Sequence, residues 1–226
     1  TTGGPRDMIG AVVGLLTLLS ALVLGLLIWT AYGVYSSQNA AIQNLAARAL
    51  QLDLALADYG PEAGPGRAGL REGLGRTIND IWGEHADGDH ISRNFHAAID
   101  DLRTQQAYLD SLRPATDSQR SALSSANQAN AAMSQVRLQM ALALSDPISY
   151  PLLTIVVAWG AFLFCGFGLM SRSNPMAFAA LAVGAVAVAS AVYLIIDLSD
   201  PYTGLFQASQ APIERVMKDV NVRQGG

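Results

Sequence analysis

Charged residues are scarce in this chain: Asp, Glu, Lys and Arg make up 14% of its 226 residues, against roughly 25% in soluble proteins. That shortage excludes a uniform soluble globule, and an apolar content of 51% excludes a disordered chain. Basic residues are few and form no block. With a net charge of -4 and a pI near 5.2, no electrostatic footprint for nucleic acid exists. Cysteine is nearly missing. Its one copy, Cys165, lies in an apolar stretch, so neither an internal disulfide nor a zinc site of paired cysteines is available. The glycines at 60, 64 and 66 are not followed by Gly-Lys-Ser/Thr, which removes a phosphate loop. No strand pattern or internal repeat competes with the helical period.

Long apolar runs are what the chain has instead. Residues 8–35 carry no charge. At 1.5 Å per residue a helix of that length exceeds a hydrocarbon core of about 30 Å. A cleaved signal peptide is the rival reading, but its apolar region would be about 7 to 15 residues. Segments 151–171 and 176–197, joined by the loop 172–175, read as a transmembrane hairpin. The expected order is an N-terminal flank (1–7), a span (8–35), an extramembrane four-helix bundle (36–150), the hairpin, and an amphipathic tail (198–226). The fold class is all-α: an integral membrane protein with three transmembrane helices and an extramembrane antiparallel bundle.

The bundle is read from spacing. Ile42, Leu45, Ala49, Leu52, Leu56 and Tyr59 alternate steps of three and four, one seam of a helix that continues from the first span. Gly60, as a left-handed cap, and Pro61 then stop it. Leu70, Leu74, Ile78 and Ile81 mark a second helix; Ile91, Phe95, Ile99, Leu102, Leu109 and Leu112 mark a third. Beyond Pro114, Thr116 and Gln119 form a capping box opening a fourth, with Leu123, Ala126, Met133, Val136 and Met140 on one face. In the tail, Leu205, Ile213, Val216, Met217 and Val220 face either a bilayer or, the favoured reading, their own protein. Arg6 and Arg172 favour the cytoplasm for the N-terminus and hairpin loop, hence a periplasmic bundle; Arg48, Arg137 and the tail bases argue the other way.

Four stretches carry a resemblance: SALVLGLLIWTA, LALADYGPEAGPGRAGLR, WGAFLFCGFGL and IIDLSDPYTGLFQASQAPI. Together they resemble the bacterial bestrophin-like integral membrane proteins, a domain of unknown function, with the YGPEA corner and the DPYTGL turn the most specific pieces. The chain departs from that pattern at Ser199, where relatives carry an acid, and at Tyr202, where they carry phenylalanine. Relatives also have a further apolar span ahead of residue 1. The resemblance implies the bacterial inner membrane, and its name implies a pentameric anion channel, an analogy at the level of fold.

Candidate sites are few. Gly10, Gly14, Thr17, Ala21 and Gly25 in the first span, and Ala180, Gly184, Ala187 and Ala191 in the third, form small-residue faces where a helix can approach closely, within one subunit or between two. No span carries an internal ionisable residue of the kind that marks ion paths. Tyr59, Gly60, Pro61, Glu62, Arg67 and Arg71 make one corner; Asp197, Asp200, Pro201 and Gly204 make another, with a charge pairing expected between them. Glu84, His85, Asp87, Asp89, His90 and His96 crowd one loop and its following helix without the spacing of an EF-hand or a zinc protease, so a solvated turn is the expectation. No cofactor, metal or catalytic constellation is expected. The expected partners are the lipid bilayer and further copies or other membrane subunits, with no nucleic acid. Two non-enzymatic functions follow: an oligomeric anion channel or pore, and an accessory or scaffold subunit docked on a larger membrane complex.

Overall fold

From Val34 to Tyr59 the chain has neither glycine nor proline and is rich in Ala, Leu and Gln, strong helix formers. The apolar run therefore extends without a break into one helix, α1 (Gly4–Tyr59). A 3-10 turn, Pro61–Ala63, leads to α2 (Gly64–Trp82), followed by α3 (Gly88–Ser111), α4 (Asp117–Ser145), α5 (Tyr150–Met170), α6 (Pro175–Ser199) and α7 (Ala211–Gln224). The computed structural model describes residues 4–83, 88–145, 150–170, 175–199 and 206–224, and no strand occurs among them. The chain divides into a unit of residues 1–35 and 147–200 and a unit of residues 36–146 and 201–226.

In the second unit the expected seams face inward. Ile42, Leu45, Ala49, Leu52, Leu56 and Tyr59 of α1 are all buried, joined by Leu70 and Leu74 of α2, Leu102 and Leu109 of α3, and Ala126, Met133 and Met140 of α4. Ile78, Ile81, Leu112, Leu123 and Val136 are partly buried against them. The side chains of Ile91, Phe95 and Ile99 lie outside the described residues. Each fully buried leucine contributes about 1.5–3 kcal/mol relative to exposure. The tail joins this core: Ile213, Val216 and Val220 of α7 are buried in it, Met217 packs beside them, and the Trp82 indole donates to the Ala208 carbonyl at 2.8 Å. Leu205 lies outside the described residues.

Three polar side chains inside the bundle donate to acceptors on neighbouring helices, which offsets the cost of burying them. The Gln38 amide donates to the Met140 carbonyl (3.3 Å), Arg137 to the Thr77 hydroxyl (3.2 Å), and the Asn130 amide to Gln106 (2.9 Å).

In the first unit, α5 and α6 pack through a glycine on each helix. A Cβ built on Gly184 would lie 3.2 Å from the Phe164 ring, and one on Gly160 would lie 3.8 Å from Val188. Leu27 and Ala31 of α1 form a small cluster with Leu153, Val156, Ile195 and Leu198. Among the described residues, three helices are long and apolar enough to cross a membrane.

Candidate functional site

Two regions have the geometry to carry function, one in each unit. On the first span, Gly10, Gly14, Thr17, Ala21 and Gly25 are all exposed, and a Cβ added at Gly10, Gly14 or Gly25 would meet nothing within 4 Å. The Thr17 hydroxyl is spent on its own helix, donating to the Val13 carbonyl at 2.8 Å. At most 11% of the most apolar stretch of any span is buried within the chain. The α6 face behaves differently: Gly184 is filled by Phe164, while Ala180 and Ala187 are exposed and Ala191 is half-buried.

The second region is the corner after α1. Gly60 has φ 119° and ψ -173°, so its positive φ matches the expected cap, but its ψ places it in the extended region open essentially to glycine alone rather than in the left-handed helical one. A Cβ there has open space around it. Gly60→Ala is therefore expected to cost about 1–3 kcal/mol through backbone strain; a melting temperature equal to that of the wild type would refute this reading.

Two side chains from beyond the corner hold it. Gln119 closes the capping box expected of α4, accepting from the Ala115 N–H (2.8 Å) and the Thr116 N–H (3.4 Å), while the Thr116 hydroxyl accepts from the Gln119 N–H (3.1 Å). The same amide donates to the last carbonyl of α1, on Tyr59 (3.2 Å), and to the Glu62 carboxylate (3.3 Å). The Tyr108 hydroxyl donates to the Glu62 carbonyl at 2.9 Å, and its ring lies across Gly66, where a Cβ would come within 2.3 Å of it. Burial of the Tyr59 phenol, with Glu62 and Tyr108 near it, raises its pKa above the ordinary tyrosine value.

Arg67 forms the strongest contact here. Its Nε and one terminal nitrogen donate to the two oxygens of Asp53 at 2.7 and 3.0 Å, and the Asp53 side chain is fully buried. Those bonds raise the Arg67 pKa further, outweighing the opposing effect of burial. The Arg67 fork is thus taken by an acid the sequence reading did not single out, on the helix before the chain reversal. The signal was present: position 53 flanks Leu52 and Leu56 on the buried seam, where a carboxylate needs a partner. Arg71 is half-buried, and Asp197 is buried at the end of α6. Asp200, Pro201, Gly204, Glu84, His85 and Asp87 lie outside the described residues, as do the side chains of Asp89, His90 and His96.

A profile of the bestrophin-like domain matches residues 4–213. The chain belongs to the bestrophin-like family. No curated protein and no solved structure matches it. In this bestrophin-like chain the match runs from the start of α1 into the first turn of α7, so the domain takes in both the small-residue face and the Gly60 corner. It is a membrane protein by its three apolar helices, and the arrangement of its Asp53–Arg67 pair is that of an anchor within the bundle.

Proposed function

We propose that this bestrophin-like chain is a non-enzymatic subunit of a homo-oligomeric anion pore in the bacterial inner membrane, with its bundle on the periplasmic side. The observation that carries the reading is the unfilled face of the first span. Glycines in a membrane helix allow a second helix to come close, and lipid gains nothing from them; Gly10, Gly14 and Gly25 have no such helix from their own chain. Further copies supply it, and several copies around an axis enclose a path that three spans alone do not.

The test begins with the chain purified in mild detergent, its mass determined, and the protein reconstituted in liposomes. A symmetric homo-oligomer with anion flux is expected. Gly14→Ile should break the assembly, because a branched side chain keeps backbones apart. Gly33→Ile makes the same change about 100° around the helix and should leave the assembly intact. Identical behaviour of the two variants would remove the interface.

A second reading, an accessory subunit, is favoured by an open groove of about 570 Å³ between α1 and α4, lined by residues such as Gln51, Leu54, Ser121 and Ser125. It predicts electrically silent liposomes and a stoichiometric foreign partner.

A further inference from the structure

Most arginines of the bundle have an identifiable acceptor. Arg67 pairs with Asp53, Arg76 with Glu72 and Asp101, Arg103 with Asp100, and Arg120 with Asp117. Arg48 donates to Gln51, and Arg137 donates to Thr77. Arg113 is exposed, where water solvates it. Arg137 also has a sequestered Nε without an acceptor, but a terminal nitrogen of its guanidinium is held by Thr77; among the described residues, no nitrogen of Arg71 is so held. Arg71 is half-buried on α2, its Nε is shut off from solvent and has no hydrogen-bond acceptor, and among the described residues it forms no ion pair.

The acids near it along the chain are spent. Asp53 is gripped on both oxygens by Arg67, one turn before Arg71 on the same face of α2, and Glu72 is held by Arg76 at 2.6 Å. Leu70 and Leu74, at 5% and 1% exposure, flank the position on its own helix. A guanidinium is always charged, and a charge with a sequestered N–H is costly unless an anion meets it.

We propose that Arg71 is an anion-binding residue, its guanidinium receiving a halide or an oxyanion from outside the chain. The chemistry has two sources, a free small anion or a carboxylate on a neighbouring copy. Neither rests on ion conduction, since the assignment is read by stability and assembly without flux.

The experiment melts the full chain in mild detergent while chloride, and separately inorganic phosphate, replaces gluconate at constant ionic strength. For a free anion the melting temperature rises saturably, by on the order of 5 °C at a hundredfold excess over the dissociation constant. Arg71→Met abolishes that rise, and Arg113→Met keeps it. For a neighbour's carboxylate there is no saturable rise, and Arg71→Met lowers the oligomer fraction where Arg113→Met does not. Removing an unpaired charge in favour of an apolar chain of similar length does not threaten folding. The proposal is overturned if Arg71→Met leaves both the anion response and the assembly as they are in the wild type.

Discussion

Asp53→Ala is expected to destabilise the bundle by about 3–5 kcal/mol, the largest single effect the structure supports. The carboxylate is fully buried and accepts two hydrogen bonds from a guanidinium whose side chain is itself only 14% exposed. Removing it leaves the Arg67 charge sequestered and without its acceptor, which costs more than the pair itself is worth. For a chain of this size the fall in melting temperature is on the order of 10 °C. The combination Asp53→Leu with Arg67→Met should recover most of the loss, because it removes both desolvation penalties together. A loss below about 1 kcal/mol for Asp53→Ala, or a double variant as weak as the single, would contradict the buried pair.

Leu56→Ala comes next, with about 2–5 kcal/mol expected from lost burial and the cavity left behind. Leu56 has no exposed surface and sits in the seam of α1, whereas Leu54, two residues earlier on the same helix, is 37% exposed. Leu54→Ala is therefore expected to shift stability by roughly 0.5 kcal/mol or less. The difference between two identical truncations isolates the phase of the helix from the chemistry of leucine. Equal melting temperatures for the two variants would mean that the seam points elsewhere.

That seam was legible in the sequence because burial imposes a period, and Ile42 through Tyr59 keep it without interruption. The capping box at Thr116 and Gln119 was legible for a similar reason: both ends of the interaction lie within four residues. Legibility fails where one partner is local and the other is not. The amide of Gln119 also reaches Tyr59 and Glu62, about sixty residues away, and nothing in the Thr-x-x-Gln pattern announces that second duty. Arg67 shows the same failure over a shorter distance, since its partner lies across a chain reversal. Gly66 looked like one glycine among several, although the Tyr108 ring gives it a steric role. Small residues in the spans were visible as stripes, but a stripe does not say what stands opposite: Gly184 faces a phenylalanine of its own chain, and Gly14 faces none. Ser199, the position where an acid was expected by resemblance, donates from its hydroxyl to the Ile195 carbonyl in its own last turn.

The tail sets a timetable for biogenesis. Ile213, Val216 and Val220 belong to the same core as the seam of α1, with Met217 of α7 resting on α2 at Gly75 and Trp82 of α2 holding Ala208, just ahead of α7. Yet α5 and α6 lie between α4 and α7 in the chain, so the ribosome delivers the bundle's last piece only after both hairpin helices. At about 5–20 residues per second, the stretch from Ser145 to Val220 takes roughly 4–15 s to make. Throughout that interval the nascent bundle carries an uncovered apolar flank on α2, open to chaperones and proteases, and its closure reports that the hairpin has already been synthesised.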